Sequence, residues 1–88
     1  MIICEVVGHV WATKKMQELD GQKLMIVCES KADGSNSVFV AADQVGAGIG
    51  ECVLVVSGST ARMAAGGNGL PVDCAIVGII DPTAAETV

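Results

Sequence analysis

The chain has 88 residues, 51% of them apolar, and five basic against ten acidic residues give a formal net charge of −5. A chain of this length forms one domain with a thin core, so we expect the apolar excess to be covered by other protein. The negative charge and the presence of only two aromatic residues argue against nucleic acid as a partner. No apolar run approaches the ~18–20 residues of a membrane-spanning helix, so we expect no membrane association.

Five strands and one short helix are predicted in chain order. Apolar and β-branched runs bounded by turn residues indicate the strands, and Gly8 marks a place where the first strand can bend. In the polar connection that follows the first strand, Leu19 is expected to fold back onto the domain. The predicted strands cover Met1–Trp11, Lys23–Glu29, Val38–Ala42, Glu51–Ser57 and Val72–Ile80.

The helix is predicted over Thr60–Ala65, with Ser59 as its N-cap and Gly66 ending it in a left-handed conformation. The order β-β-β-β-α-β favours an all-β domain: a small five-stranded barrel like the oligonucleotide-binding fold, with its helix moved to lie between strands four and five. An open sandwich, or a sheet completed by a neighbour, are the alternatives. We expect residues 1–81 to form the domain and residues 82–88 to form a short C-terminal tail.

A glycine-rich corner, Gly46-Ala47-Gly48-Ile49-Gly50, joins strands three and four. It is not a Walker loop, because no Gly-Lys-Ser/Thr follows. It is not a dinucleotide loop either, because a strand-like segment follows where a helix is needed. The glycines are therefore interpreted as positions of positive φ, or of close backbone approach that includes approach to a neighbouring subunit.

No catalytic residue, cofactor or metal is predicted. The four cysteines form no C-x-x-C pair and lie in or beside apolar runs, which is typical of free thiols in a core. Ser57, Ser59 and Thr60 lack a nucleophile elbow, and Asp43 and Glu51 lack a recognisable set of catalytic partners. A small metal or thiol enzyme that uses Cys4, Cys28, Cys52 and Cys74 remains an alternative.

Arg62 is the only arginine of the chain, whereas the lysines Lys14, Lys15, Lys23 and Lys31 are expected to lie at exposed sites and serve solubility. A guanidinium binds carboxylates or carbonyls in a fixed, forked geometry. Arg62 is therefore either a subunit contact or a plain surface residue.

Several blocks, in order along nearly the whole chain, resemble the EutN/CcmL family of pentameric vertex proteins from bacterial microcompartment shells. One departure is Cys52, which stands where family members often carry a large aromatic residue. The blocks are Val7-Gly8 to Ala12-Thr13, Gly21-Gln22-Lys23-Leu24, Val40-Ala41-Ala42-Asp43, Val45 to Glu51, Gly58 to Arg62, Pro71-Val72-Asp73 and Ile76 to Asp81.

The resemblance implies a structural, non-enzymatic protein of the cytoplasmic shell of a microcompartment, of a catabolic type. It also implies homopentamers at the shell vertices that dock against hexameric shell proteins. On this basis, subunit contacts are predicted at Asp43, Gly46, Gly48, Glu51 and Arg62, and a narrow axial pore lined by Gly46, Ala47 and Gly48. An oligonucleotide-fold-like module that binds nucleic acid or another ligand is the alternative function.

Overall fold

The structure is a computed structural model that describes residues 1–11, 15–67 and 69–81. The five predicted strands and the helix are confirmed, with ends that differ by a few residues, and a 3-10 turn was not foreseen. The predicted tail, 82–88, lies outside the described residues. The elements are β1 (Ile2–His9), the 3-10 turn (Gln17–Leu19), β2 (Lys23–Ser30), β3 (Asn36–Asp43), β4 (Cys52–Ser57), α1 (Ser59–Ala65) and β5 (Cys74–Ile80).

The strands close into a barrel, as the sequence predicted, and their order around it is β1-β2-β3-β5-β4. All neighbours are antiparallel except β3 and β5, which run parallel and share only two pairs, Ala42 with Ala75 and Asp43 with Ile76. The register of β1 against β2 shifts between Val6 and Gly8, which confirms an irregularity at that glycine. The seam between β3 and β5 is therefore the shortest contact of the barrel.

The core follows from strand alternation, since every second side chain points into the barrel. Met25 and Val27 of β2 are fully buried, whereas Leu24 and Ile26, which alternate with them along the strand, are only partly buried. Ala47 reaches this core from the glycine corner and packs among strand residues with no exposed surface. The central cluster is Cys4, Val6, Met25, Val27, Ala41, Ala47, Val53, Val55 and Ile76.

Helix α1 covers part of the outer surface of the barrel. Ala61 packs with Val56 and Ala75, and Ala65 packs with Ala42 and Val72. Leu19 joins the second of these clusters, so the predicted folding back of its side chain is confirmed. In the described part of the chain no helix is long and apolar enough to cross a membrane.

The predicted N-cap at Ser59 is wrong. Ser59 is the first helical residue, and the cap position belongs to Gly58, at φ 69° and without a side-chain hydrogen bond. The Gly58 N–H donates to the Asp73 carbonyl at 2.9 Å, and this turn needs a positive φ that glycine adopts without strain. The predicted stop at Gly66 is confirmed, because this residue is the C-cap at φ 131°.

Candidate subunit interface

The Asp43 carboxylate holds the start of the connection between β3 and β4, residues 44–51, which contains the glycine corner. Its Oδ1 accepts hydrogen bonds from the N–H groups of Val45 and Gly46 at 3.0 and 3.1 Å, and its Oδ2 accepts one from Ala47 at 2.8 Å. The side chain is only 1% exposed. Asp43 therefore holds the corner from inside its own subunit, and its carboxylate is already satisfied there.

Lys23 is the residue of this corner that sequence reasoning missed. Its Nζ lies 3.5 Å from Asp43 Oδ2 and donates a hydrogen bond to the Ala47 carbonyl at 3.2 Å. Its assignment as a solubility lysine was therefore incomplete, although the side chain is 47% exposed. The available signal was the antiparallel pairing of strands two and three, which places Lys23 directly opposite Asp43.

The far end of the corner is closed by Glu51. Its Oε1 accepts a hydrogen bond from the Gly48 N–H at 2.6 Å, while its own N–H donates to the Gly48 carbonyl at 3.1 Å. Two further bonds join this end to β1: Gly50 N–H to Val6 O at 2.8 Å, and Val6 N–H to Glu51 O at 3.0 Å. The corner is therefore tied down at both ends.

The three glycines of the corner differ in why they are needed. Gly46 and Gly50 have positive φ, 80° and 92°, as predicted, but Gly48 does not. A Cβ at Gly48 would instead lie 3.3 Å from Glu51 Oε1 of the same chain, so the close approach at this position comes from a carboxylate. Gly46 is exposed and Ala47 is buried, so Ala47 could line a pore only through its backbone. The pore remains a prediction.

Arg62 lies on a separate element from the other four predicted contact residues. It is on α1 and partly exposed, and its side chain makes no hydrogen bond or ion pair with any residue in the described ranges. Asp43, Gly46, Gly48 and Glu51 are brought together in the corner. The guanidinium of Arg62 thus remains available for a group outside this chain.

The apolar excess expected from composition lies on the outside of the barrel. Exposed side chains occur on the outer faces of β1, β3 and β5, at the corner and on α1, so they occupy more than one side of the molecule. Among the described residues, the large exposed apolar side chains are Met1, Ile3, Val7, Trp11, Met16, Val38, Val40, Val45, Ile49, Met63 and Ile79.

The four cysteines are free, but only one is fully buried. Burial and, secondarily, the Glu29 carboxylate raise the pKa of Cys4 to about 11, and burial followed by Asp73 raises the pKa of Cys74. Cys28 and Cys52 both pair with the exposed Glu5, so they lie on the outer face. The core assignment is correct for Cys4 and incomplete for the others. No group of three or more His, Cys, Asp or Glu side chains in the described ranges could hold a metal ion.

Comparison with known proteins gives one consistent result. The family EutN_CcmL, described as "Ethanolamine utilisation protein EutN/carboxysome", matches residues 1–81. The microcompartment shell vertex protein PduN of Salmonella typhimurium is 41% identical over 87 residues, which cover 92% of this chain and 96% of PduN. The carboxysome shell vertex protein CcmL of Synechocystis is 42% identical over 83 residues, which cover 92% of this chain and 83% of CcmL.

Among solved structures, the pentameric microcompartment shell protein GrpN from Rhodospirillum rubrum superimposes with a TM-score of 0.83 at 39% identity, and the match covers 100% of both chains. Near-equal identities to PduN and to CcmL do not separate catabolic compartments from carboxysomes, so the catabolic type remains a prediction.

Proposed function

The chain belongs to the EutN/CcmL family of microcompartment shell vertex proteins, and from this premise we propose that it forms homopentamers that cap the vertices of a bacterial microcompartment shell. This function places the protein in the cytoplasm, as part of the shell. Its role is structural, without catalysis. The encapsulated pathway is proposed to be of a catabolic type.

The observation that carries this proposal is the likeness to a pentameric shell protein, GrpN, at 39% identity over 100% of both chains. The physical properties of the chain agree with it. A ring uses one heterologous interface repeatedly, so each subunit needs two different contact surfaces. Exposed apolar side chains on several sides of this barrel meet that need, whereas a twofold dimer would need only one such surface.

The glycine corner and α1 are proposed to contribute contacts to the ring. Gly46, Gly48 and Glu51 lie at the surface of a corner whose shape is fixed internally by Asp43. Asp43 thus acts by holding the corner. The Arg62 guanidinium has no partner among the described residues and can bind a carboxylate or carbonyl of the neighbour.

Hexameric shell proteins are the proposed partners of the pentamer. Co-expression of this chain with a hexameric shell protein should yield closed polyhedral particles by electron microscopy, whereas the hexameric protein alone should yield sheets, tubes or open particles. Particles that are equally closed with and without this chain would contradict a role at vertices.

Native mass spectrometry tests the assembly directly. The expected mass is five times the 8.9 kDa chain. A uniform population of monomers, dimers or hexamers at micromolar concentration would refute the proposal. The alternative, a barrel that binds nucleic acid, predicts retention of single-stranded DNA at low salt; with a net charge of −5, no such retention is expected.

A further inference from the structure

Part of β3 has no neighbour on one side. All eight residues of β3 pair with β2, but only Ala42 and Asp43 pair with β5. The stretch of β3 before Ala42 therefore presents an open edge in the described structure. The end of the β2–β3 hairpin also stands clear of β1, whose pairing with β2 stops at Cys28.

The hydrogen bond just after the end of β3 shows which way the N–H and C=O groups of this strand point. The Gln44 N–H donates to the Ile76 carbonyl at 3.1 Å, so Gln44 faces the β5 side. Because alternate residues of a strand direct their N–H and C=O groups to the same side, Val40 and Val38 present theirs to the open edge. Their side chains are 43% and 63% exposed. An exposed apolar edge is a site for pairing with another chain.

A concave counterpart lies at the other end of the seam. It is a groove of about 440 Å³ between the end of the glycine corner and the end of β5. Its walls include apolar side chains on two strands, and the side chain of Ile79 is 43% exposed. The lining residues are Gly50, Glu51, Cys52, Ile79, Ile80 and Asp81.

We propose that the Val38–Val40 edge of one subunit docks into this groove on the next subunit of the ring. The inference rests on the proposed pentamer and states which two surfaces meet in it. The occupant is a second copy of this chain, since a heterologous ring joins two different surfaces of identical subunits. Glu51, one of the proposed ring contacts, lines this groove, so the two proposed sets of contacts are continuous.

One chain cannot make this contact within itself. Ile79 lies three residues past Ile76, which is level with Asp43, whereas Val38 and Val40 lie five and three residues before Asp43. Along this seam the two surfaces are thus six to eight residues apart. Around the other side of the barrel, Val38, Cys28, Glu5 and Cys52 are successive cross-strand partners, so β2 and β1 stand between Val38 and Cys52, a separation of about 15 Å. Only a neighbouring copy can bring them together.

Cysteine cross-linking tests the contact, because Cys52 already lines the groove. Val38 pairs with Cys28 in its own chain, so Val38→Cys is made together with Cys28→Ala to prevent an internal link. A short bis-maleimide should then give a ladder of two to five chains on a denaturing gel, and adding Cys52→Ala should abolish it. Met63→Cys in the Cys28→Ala background is the matched control: Met63 is 62% exposed on α1, outside both surfaces, and should give no ladder that depends on Cys52.

Hydrogen exchange of the wild-type protein provides a second readout that needs no substitution. The amides of Val38 and Val40 should exchange about tenfold more slowly in the pentamer than in subunits dissociated by dilution. An intact pentamer that shows neither the Cys52-dependent ladder nor this protection overturns the inference and leaves the proposed function standing. Absence of a pentamer in native mass spectrometry overturns both.

Discussion

Replacing Asp43 with alanine removes the group that holds the glycine corner in shape. Three backbone N–H groups then lose their acceptor, and the ammonium of Lys23 loses its ion-pair partner while it keeps its hydrogen bond to the Ala47 carbonyl. A hydrogen bond to a charged group contributes about 1.5–3 kcal/mol. The three bonds act together, and water can reach the emptied site, so we expect a total loss of about 3–5 kcal/mol in the free energy of unfolding.

Asp43→Asn separates charge from shape. The amide keeps one carbonyl oxygen, but it places an NH₂ group where one acceptor oxygen was, so it loses the charge and about one bond. We expect a smaller loss of about 1.5–3 kcal/mol. At about 4–8 °C per kcal/mol for a domain of this size, Asp43→Ala should lower the Tm by at least about 12 °C.

The assay is urea unfolding followed by circular dichroism at a fixed chain concentration, because assembly adds to apparent stability by mass action. Asp33→Ala is the matched control. The Asp33 Oδ1 also accepts two hydrogen bonds, from Ser35 N–H at 2.9 Å and Ser35 Oγ at 2.6 Å, but this residue lies exposed at the hairpin tip. Midpoints that shift equally for Asp43→Ala and Asp33→Ala would refute the role given to the corner carboxylate.

Three further predictions concern the core, the corner and the ring. Between pH 9.0 and about 11 the folded Cys4 thiol keeps its proton while the unfolded one loses it, so the free energy of unfolding should fall by up to about 3 kcal/mol as the pH rises through this range. Urea midpoints measured below and above pH 9.0 should therefore fall more steeply in the wild type than in Cys4→Ala, and parallel falls would contradict this. Gly50→Ala and Gly21→Ala should each introduce about 1–2 kcal/mol of backbone strain, since both glycines have positive φ. Only Gly50→Ala should lower the yield of pentamer in native mass spectrometry. Equal yields would show that the corner is not part of the ring interface. Arg62→Ala should weaken each subunit interface by about 2–5 kcal/mol, measured as dissociation of the ring on dilution, and Arg62→Lys should recover part of this loss. The exposed control Lys15→Ala should have no effect, and circular dichroism should be unchanged in all three variants. An Arg62→Ala ring as stable as wild type would make Arg62 an ordinary surface residue.

The strands could be predicted because each apolar run ends at strong turn residues. Their ends could not, since they depend on pairing between strands. Val38–Ala42 was the predicted third strand, but β3 begins at Asn36 and ends at Asp43 because β2 supplies hydrogen-bonding partners along that whole length. The apolar pattern indicates which residues enter the core, whereas the hydrogen-bonded pairing of β2 with β3 also includes polar residues at both ends of the strand.

The errors at single residues have a shared physical cause. Serine is a common N-cap residue, yet Gly58 and not Ser59 occupies the cap position of α1. The Gly58 N–H donates a hydrogen bond to the carbonyl of Asp73, which is far away in the sequence. Gly48 stands in a glycine-rich corner that indicates positive φ, yet its own φ is not positive. It lies so close to the Glu51 carboxylate that a Cβ would crowd it. Local composition shows that a residue is unusual, but tertiary contacts decide which of its properties is used.

The short seam between β3 and β5 connects the shape of the barrel to its assembly. If the parallel contact extended along both strands, the edge at Val38 and Val40 would be paired within the subunit. With only two paired positions, one strand keeps an open apolar edge and the other ends beside an open groove. Both surfaces cost free energy in water, and in the proposed contact that cost is removed when subunits join in the same rotational sense. In the proposed ring contact, the short seam between β3 and β5 thus supplies both the driving force for assembly and its direction.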